Sequence, residues 1–116
     1  MEFTSKSENP QFPEVWDLDP KEIQTKSAQL TLIDVRRPDE YVGELGHIPG
    51  ATLLTLDQLP AKIETLPKDK TIVFVCRSGA RSAQAASFAL ENGLSDVFNM
   101  RGGMLLWNEN GFKVEK

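Results

Sequence analysis

The chain has 116 residues, 40% of them hydrophobic, enough for one domain around one core and too broken in its apolar runs for the ~20-residue span of a membrane helix. A net charge of −4 and a pI near 5.0 argue against nucleic acid or an anionic membrane as partner, and the acidic, polar opening "MEFTSKSENP" has no apolar stretch of signal-peptide type, so a cytoplasmic protein is expected. One cysteine excludes an internal disulfide, one cysteine with one histidine argues against a multi-ligand zinc site, and nothing implies a cofactor.

Residues 1–12 are polar and proline-spaced and read as a flexible N-terminal arm, with one domain over 13–116. "DPKEIQTK" carries helix-start signals: Asp19 as N-cap, Pro20 in the first turn, Glu22 at the third position. "LTLIDV" (30–35) reads as a buried strand ending in Asp34. In "RRPDEYVGELGHIPGA" (36–51), Pro38 opens a short helical turn that runs into a glycine-broken loop. "ATLLTL" reads as a short strand, and "DQLPAKIETLPKDK" as a helix with Asp57 as N-cap, ending near Pro67. "TIVFVC" (71–76) is β-branched and without polar alternation, the pattern of a strand buried on both faces. "ARSAQAASFALENG" is a helix closed by Gly93, "DVFNM" a further strand, and "RGGMLLWNENG" a Gly-Gly turn with a short helix. Strands alternating with helices imply a parallel α/β sheet, which binds ligands beyond the carboxyl ends of its strands. Cys76 and all five arginines (Arg36, Arg37, Arg77, Arg81, Arg101) follow predicted strands, while the lysines lie elsewhere. That segregation predicts a site for a small anion.

Cys76 stands where a strand gives way to "CRSGARS" and a helix. Loop amides and a helix N-terminus bring positive potential there, and Arg77 or Arg81 adds to it, so a thiolate nucleophile is favoured. Gly79 permits a tight turn toward the sulfur, and Ser78 and Ser82 can supply further hydrogen bonds. The bland alternative is a small buried hydrophobe, as most free cysteines are. An inert core cysteine has no use for this loop.

These residues resemble a family. "CRSGARS" is similar to the active loop of the single-domain rhodaneses; "IDVRRPDEYVGELGHIPGA" (33–51) and "MRGGMLLW" (100–107) are similar to two further signatures of that family, in the same order. The resemblance covers roughly residues 15 to 112 and departs at Glu44–Leu45, read as loop variation. It implies a central parallel sheet flanked by helices on both faces. It implies a sulfurtransferase with Cys76 as catalytic nucleophile, carrying sulfur as a persulfide from a small anionic donor such as thiosulfate to cyanide or a thiol, including a protein thiol such as thioredoxin. Arg77, Ser78, Gly79, Ala80 and Arg81 would form the binding loop, with Arg81 facing the pocket, and Asp34, Arg36 and Ser82 would support it. Asp34, Arg36 and Glu40 read as structural groups that fix the neighbouring loop, His47 as a backbone hydrogen-bonder in a turn, and Trp107 and Met104 as core packing. One rival is a cysteine phosphatase or arsenate reductase of related fold, which needs one more residue between cysteine and arginine than the four here. The other is a non-catalytic binding module, which has no reason to keep the cysteine.

Overall fold

A computed structural model describes residues 1–116. "TIVFVC" forms the centre of it. Its strand β5 (Ile72–Val75) is buried on both faces within a six-stranded sheet. The other strands are β1 (Ser7–Glu8), β2 (Trp16–Leu18), β3 (Thr31–Asp34), β4 (Thr52–Leu53) and β6 (Val97–Met100), in the order β1-β2-β6-β5-β3-β4. Every pairing is parallel except β1 with β2.

Side chains alternate along a strand, and that alternation sorts the core into two layers. Ile72, Phe74 and then Cys76 face one side, packed with Ile33, Val35 and Leu59 and with Ala85, Ala86 and Ala89. Val73 and Val75 face the other, with Ile23, Met104 and Trp107. Helices α3 (Leu59–Lys62) and α4 (Ala80–Glu91) therefore cover the cysteine's face, and α1 (Pro20–Lys26) and α5 (Gly103–Glu109) the opposite one. Helix α2 (Pro38–Tyr41) lies in the loop after β3. No helix is long and apolar enough to cross a membrane.

Asp19 caps α1 as its sequence implies, accepting the Lys21 amide at 2.9 Å. The helix expected from Asp57 to near Pro67 is shorter. Asp57 accepts the Thr55 hydroxyl at 2.5 Å rather than capping, α3 ends at Lys62, and the chain tightens into a 3-10 turn over Ile63–Thr65. The strand expected over 51–56 is regular only at Thr52–Leu53.

Residues 1–12, expected as a flexible arm, are docked. Phe3 is buried and meets Phe98 edge to face at 5.0 Å between ring centroids. Ser7–Glu8 pairs with Trp16–Asp17. Glu22 holds the arm with both carboxylate oxygens: Oε2 accepts the Thr4 amide at 2.9 Å, and Oε1 accepts the Ser5 amide at 3.0 Å and its hydroxyl at 2.6 Å. Burial raises the Glu22 pKa, but the hydrogen bonds from Ser5, Lys26 and Thr4 outweigh it and hold the group down at about 2. The physical reason the arm docks is thus a buried aromatic ring at residue 3 and, directly after it, an ionised carboxylate that grips residues 4 and 5. Replacing Glu22 by Ala should free the arm and lower stability by about 1–2 kcal/mol. Trypsin should then cut after the exposed Lys6 several times faster, read by mass spectrometry, with the unfolding midpoint read in parallel.

Candidate active site

The geometry of the cysteine loop is set from α5. The Met104 amide donates to the Cys76 carbonyl at 2.8 Å and the Leu105 amide to the Arg77 carbonyl at 3.0 Å. This approach is possible only because residue 103 is glycine. Its φ is +57°, and a Cβ there would stand 2.5 Å from the Cys76 carbonyl oxygen and collide with the Arg77 carbonyl. The loop's carbonyls are thereby occupied on the α5 side. Gly79, at φ +104°, turns the chain into α4 and donates its amide to Cys76 Sγ at 3.0 Å. The amides of Arg77, Ser78, Ala80, Arg81 and Ser82 donate to no protein acceptor. A buried sulfur, 1% exposed, thus sits beside several unclaimed N–H groups at the start of a 12-residue helix.

Of the five arginines, four are held by carboxylates. Arg36 is buried and grips Asp34 through Nε at 2.9 Å and Nη2 at 2.7 Å, while Nη2 also donates to the Gly46 carbonyl at 2.7 Å. The pair ties the end of β3 to the far side of the following loop. Arg37 pairs with Asp39, and Arg101 with Asp19. Arg81, expected to face the pocket, donates through its two terminal nitrogens to the two oxygens of Glu40, at 2.8 and 2.9 Å. That fork, with the Arg37 amide, outweighs desolvation and keeps the Glu40 carboxyl near 2; Glu40 in turn raises the Arg81 pKa. The ion pair fastens α2 to the first turn of α4. Arg77 is exposed and has no carboxylate partner.

Two clefts flank the loop. One, of about 360 Å³, is lined by Arg77 with Arg36, Asp39, Glu40, Gly43, Glu44, Leu45 and Leu105. The other, of about 390 Å³, lies between Ser78–Ala80 and the N-terminal arm, with Asp17, Asn99 and Arg101 in its wall. His47 contacts the Tyr41 carbonyl through Nδ1 at 2.8 Å, in keeping with a backbone role; it also stacks on the Tyr41 ring at 3.7 Å. No cluster of histidine, cysteine and carboxylate side chains converges as a metal site would require.

Behind the sulfur lies a buried polar row of which sequence reasoning found only Ser82. Ser82 Oγ stands 3.1 Å from Sγ and in short contact with Asn99 Oδ1. Asn99 Nδ2 donates to Asp17 Oδ1 at 2.9 Å, and Asn9 Nδ2 donates to the same oxygen at 3.0 Å. The available signal was an asparagine in the middle of "DVFNM": a polar residue in a fully buried strand must have partners.

The fit of Gly103 yields a direct test. Gly103→Ala adds strain of about 1–3 kcal/mol at positive φ and drives Cβ into two loop carbonyls. It should lower the melting temperature by several degrees and change the rate at which iodoacetamide labels Cys76. Gly111→Ala, also at positive φ (+74°) but with open space around it, should lower stability without touching the labelling rate.

The comparisons with known proteins agree with this geometry. The family profile described as the Rhodanese-like domain matches residues 19–110. A sulfurtransferase of Allochromatium vinosum is 36% identical over 88 residues, covering 76% of this chain and 80% of that one. The thiosulfate sulfurtransferase GlpE of Pseudoalteromonas translucida is 35% identical over 78 residues, covering 67% of this chain and 72% of its own. Among solved structures, a rhodanese-related protein from Thermoplasma volcanium superposes with a TM-score of 0.80 at 28% identity, covering 85% of this chain and 96% of that one. A mostly parallel sheet between helices, one cysteine at the tip of its central strand and this run of matches lead to one conclusion: the chain belongs to the rhodanese-like family.

Proposed function

We propose that this protein is a sulfurtransferase that carries sulfane sulfur on Cys76. The observation that carries the reading is the loop itself: one buried sulfur that accepts the Gly79 amide, in a loop leading into a helix whose amides at Arg77, Ser78, Ala80, Arg81 and Ser82 are unclaimed. Such an array stabilises a sulfur anion without any rearrangement.

The Cys76 thiolate attacks the outer sulfur of thiosulfate. A Cys–S bond forms, the donor's S–S bond breaks, and its electron pair leaves on sulfite. The terminal sulfur of the persulfide lies toward the free amides of residues 77–82. A nucleophilic acceptor, cyanide or a thiol, then attacks that sulfur, and the electron pair returns to Cys76 as thiolate. Arg77, the arginine without a carboxylate, is the side chain left to meet the donor's oxygens. Ser78 and Ala80 contribute backbone amides, and Gly79 supplies the turn. Arg81 acts through the Glu40 latch, which holds the wall of the cleft. The same latch speaks against a phosphatase, whose arginine must close over the bound phosphate rather than lie in a bidentate ion pair. The matched sulfurtransferases support a sulfur donor and an acceptor of this general kind.

Incubation with thiosulfate should add one sulfur atom to the intact protein by mass spectrometry, and dithiothreitol should remove it. Cys76→Ser should gain none and make no thiocyanate, with an unchanged unfolding midpoint. Thiocyanate formation by this variant at a sizeable fraction of the wild-type rate would overturn the reading.

The donor-binding role of Arg77 has its own test. Arg77→Glu should raise KM for thiosulfate about tenfold, the size of a charge-assisted contact at a partly solvated site. Lys62→Glu makes the same two-unit charge change on α3, remote from the loop, and should leave KM within about twofold. Equal losses in both would mean that overall charge, not Arg77, draws the donor.

A further inference from the structure

We infer that Asn99 and Asp17 are positioning residues for Cys76: they claim the single hydroxyl proton of Ser82, so that Ser82 accepts from the thiol instead of donating to it. The inference deepens the reading of Cys76 as the reacting group and names what orients it.

The row starts at the arm. Asn9 Oδ1 receives the amides of Gln11 and Phe12, at 2.9 and 3.0 Å. Its Nδ2 is therefore the atom that faces Asp17, as a donor, 3.0 Å from Oδ1. The same Asp17 oxygen takes Asn99 Nδ2 at 2.9 Å. Reversing the Asn99 amide would set its carbonyl oxygen against Asp17 Oδ1, two acceptors with no proton between them. Asn99 Oδ1 is thus turned to Ser82. A carbonyl oxygen brings no proton, so the short Ser82–Asn99 contact is a hydrogen bond only when the hydroxyl donates. A serine has one proton to give. Sγ, 3.1 Å from Ser82 Oγ, then meets a lone pair, and the donor aimed at the sulfur is the Gly79 amide at 3.0 Å.

The S–H bond accordingly points into the protein, toward Ser82. The sulfur's remaining lone pairs are left on the side of the loop amides. Asp17, Asn99 and Ser82 are 5%, 1% and 0% exposed, so the hydrogen bonds of the row are made among its own side chains. Strand register builds it: Asp17 and Phe74 both stand opposite Asn99, on the face that Cys76 shares with Phe74. When the thiol ionises, Ser82 can donate to the sulfur only by giving up Asn99. The thiolate therefore keeps one donor fewer, and a less stabilised thiolate is the stronger nucleophile.

The chain holds one thiol, so its S–H stretching band in the Raman spectrum belongs to Cys76 alone. In the wild type that band should lie at the lowered frequency of an S–H donating to oxygen. Asn99→Ala and Asp17→Ala both free Ser82 to turn its proton to the sulfur, and both should move the band up. Asp17→Asn keeps an oxygen for Asn9 and Asn99, and should keep the wild-type band. In a Ser82→Ala background the two alanine variants should add no further shift. At a pH where every variant is fully ionised, persulfide formation from thiosulfate should be about two- to threefold slower in Asn99→Ala, from the loss of nucleophilicity that one added hydrogen bond brings.

A purely structural role predicts lower melting temperatures with an unmoved band, and that result would overturn the inference. So would an Asp17→Asn band that follows Asp17→Ala. Should Asn99→Ala not fold, Asp17→Ala carries the same test from the outer strand. The band is read on resting protein without any donor. A protein that never forms a persulfide but shows these shifts would refute sulfur transfer and leave the proton assignment standing. The surrounding charges, Arg77, Arg81 with Glu40, and Asp34 with Arg36, are untouched in every variant.

Discussion

The whole site hangs on two hydrogen bonds from the start of α5 to the carbonyls of Cys76 and Arg77. A loop of alternating N–H and C=O groups has no intrinsic reason to offer only donors to one point. Here the acceptors are occupied from the opposite face of the sheet, by a helix that can come close because Gly103 has no side chain. The donors are left over at the sulfur. The Gly-Gly pair and the cysteine loop, separate in sequence, are thus two halves of one construction.

Charge is handled by the same logic of prior occupation. A loop bearing arginines beside a sulfur looks like an unspecific cation trap. The fold instead spends Arg36 and Arg81 on Asp34 and Glu40, in bidentate geometry that fixes the segment between β3 and β4. Such forks are rigid as well as strong, so the wall of the cleft is positioned before any ligand arrives. The sulfur itself is met by a backbone amide, that of Gly79, whose orientation is part of the fold.

What could be read from the sequence follows from the range of the interactions involved. The strand "TIVFVC", the helix after it, the capped start at Asp19 and the place of Cys76 between strand and helix are local patterns, and the structure contains them all. The partner of Arg81 was not legible because Glu40 lies 41 residues away, on a helix of four residues. Asp17 and Asn99, 82 residues apart, meet through strand register, which no local pattern encodes. The arm looked loose because its one strand is two residues long and its anchors, Phe98 and Glu22, come from elsewhere. Long-range pairing, more than chemistry, was what the residue types alone left open.

The sheet begins and ends on two-residue strands, β1 at one rim and β4 at the other. An open edge is a template for intermolecular pairing, and the longer and flatter it is, the greater the hazard of aggregation. Neither rim here is long enough to seed an ordered stack with a second molecule. The docked arm therefore also protects solubility: without it, β2 with its exposed Trp16 would become the outermost strand, and an aromatic edge would face other copies of the chain.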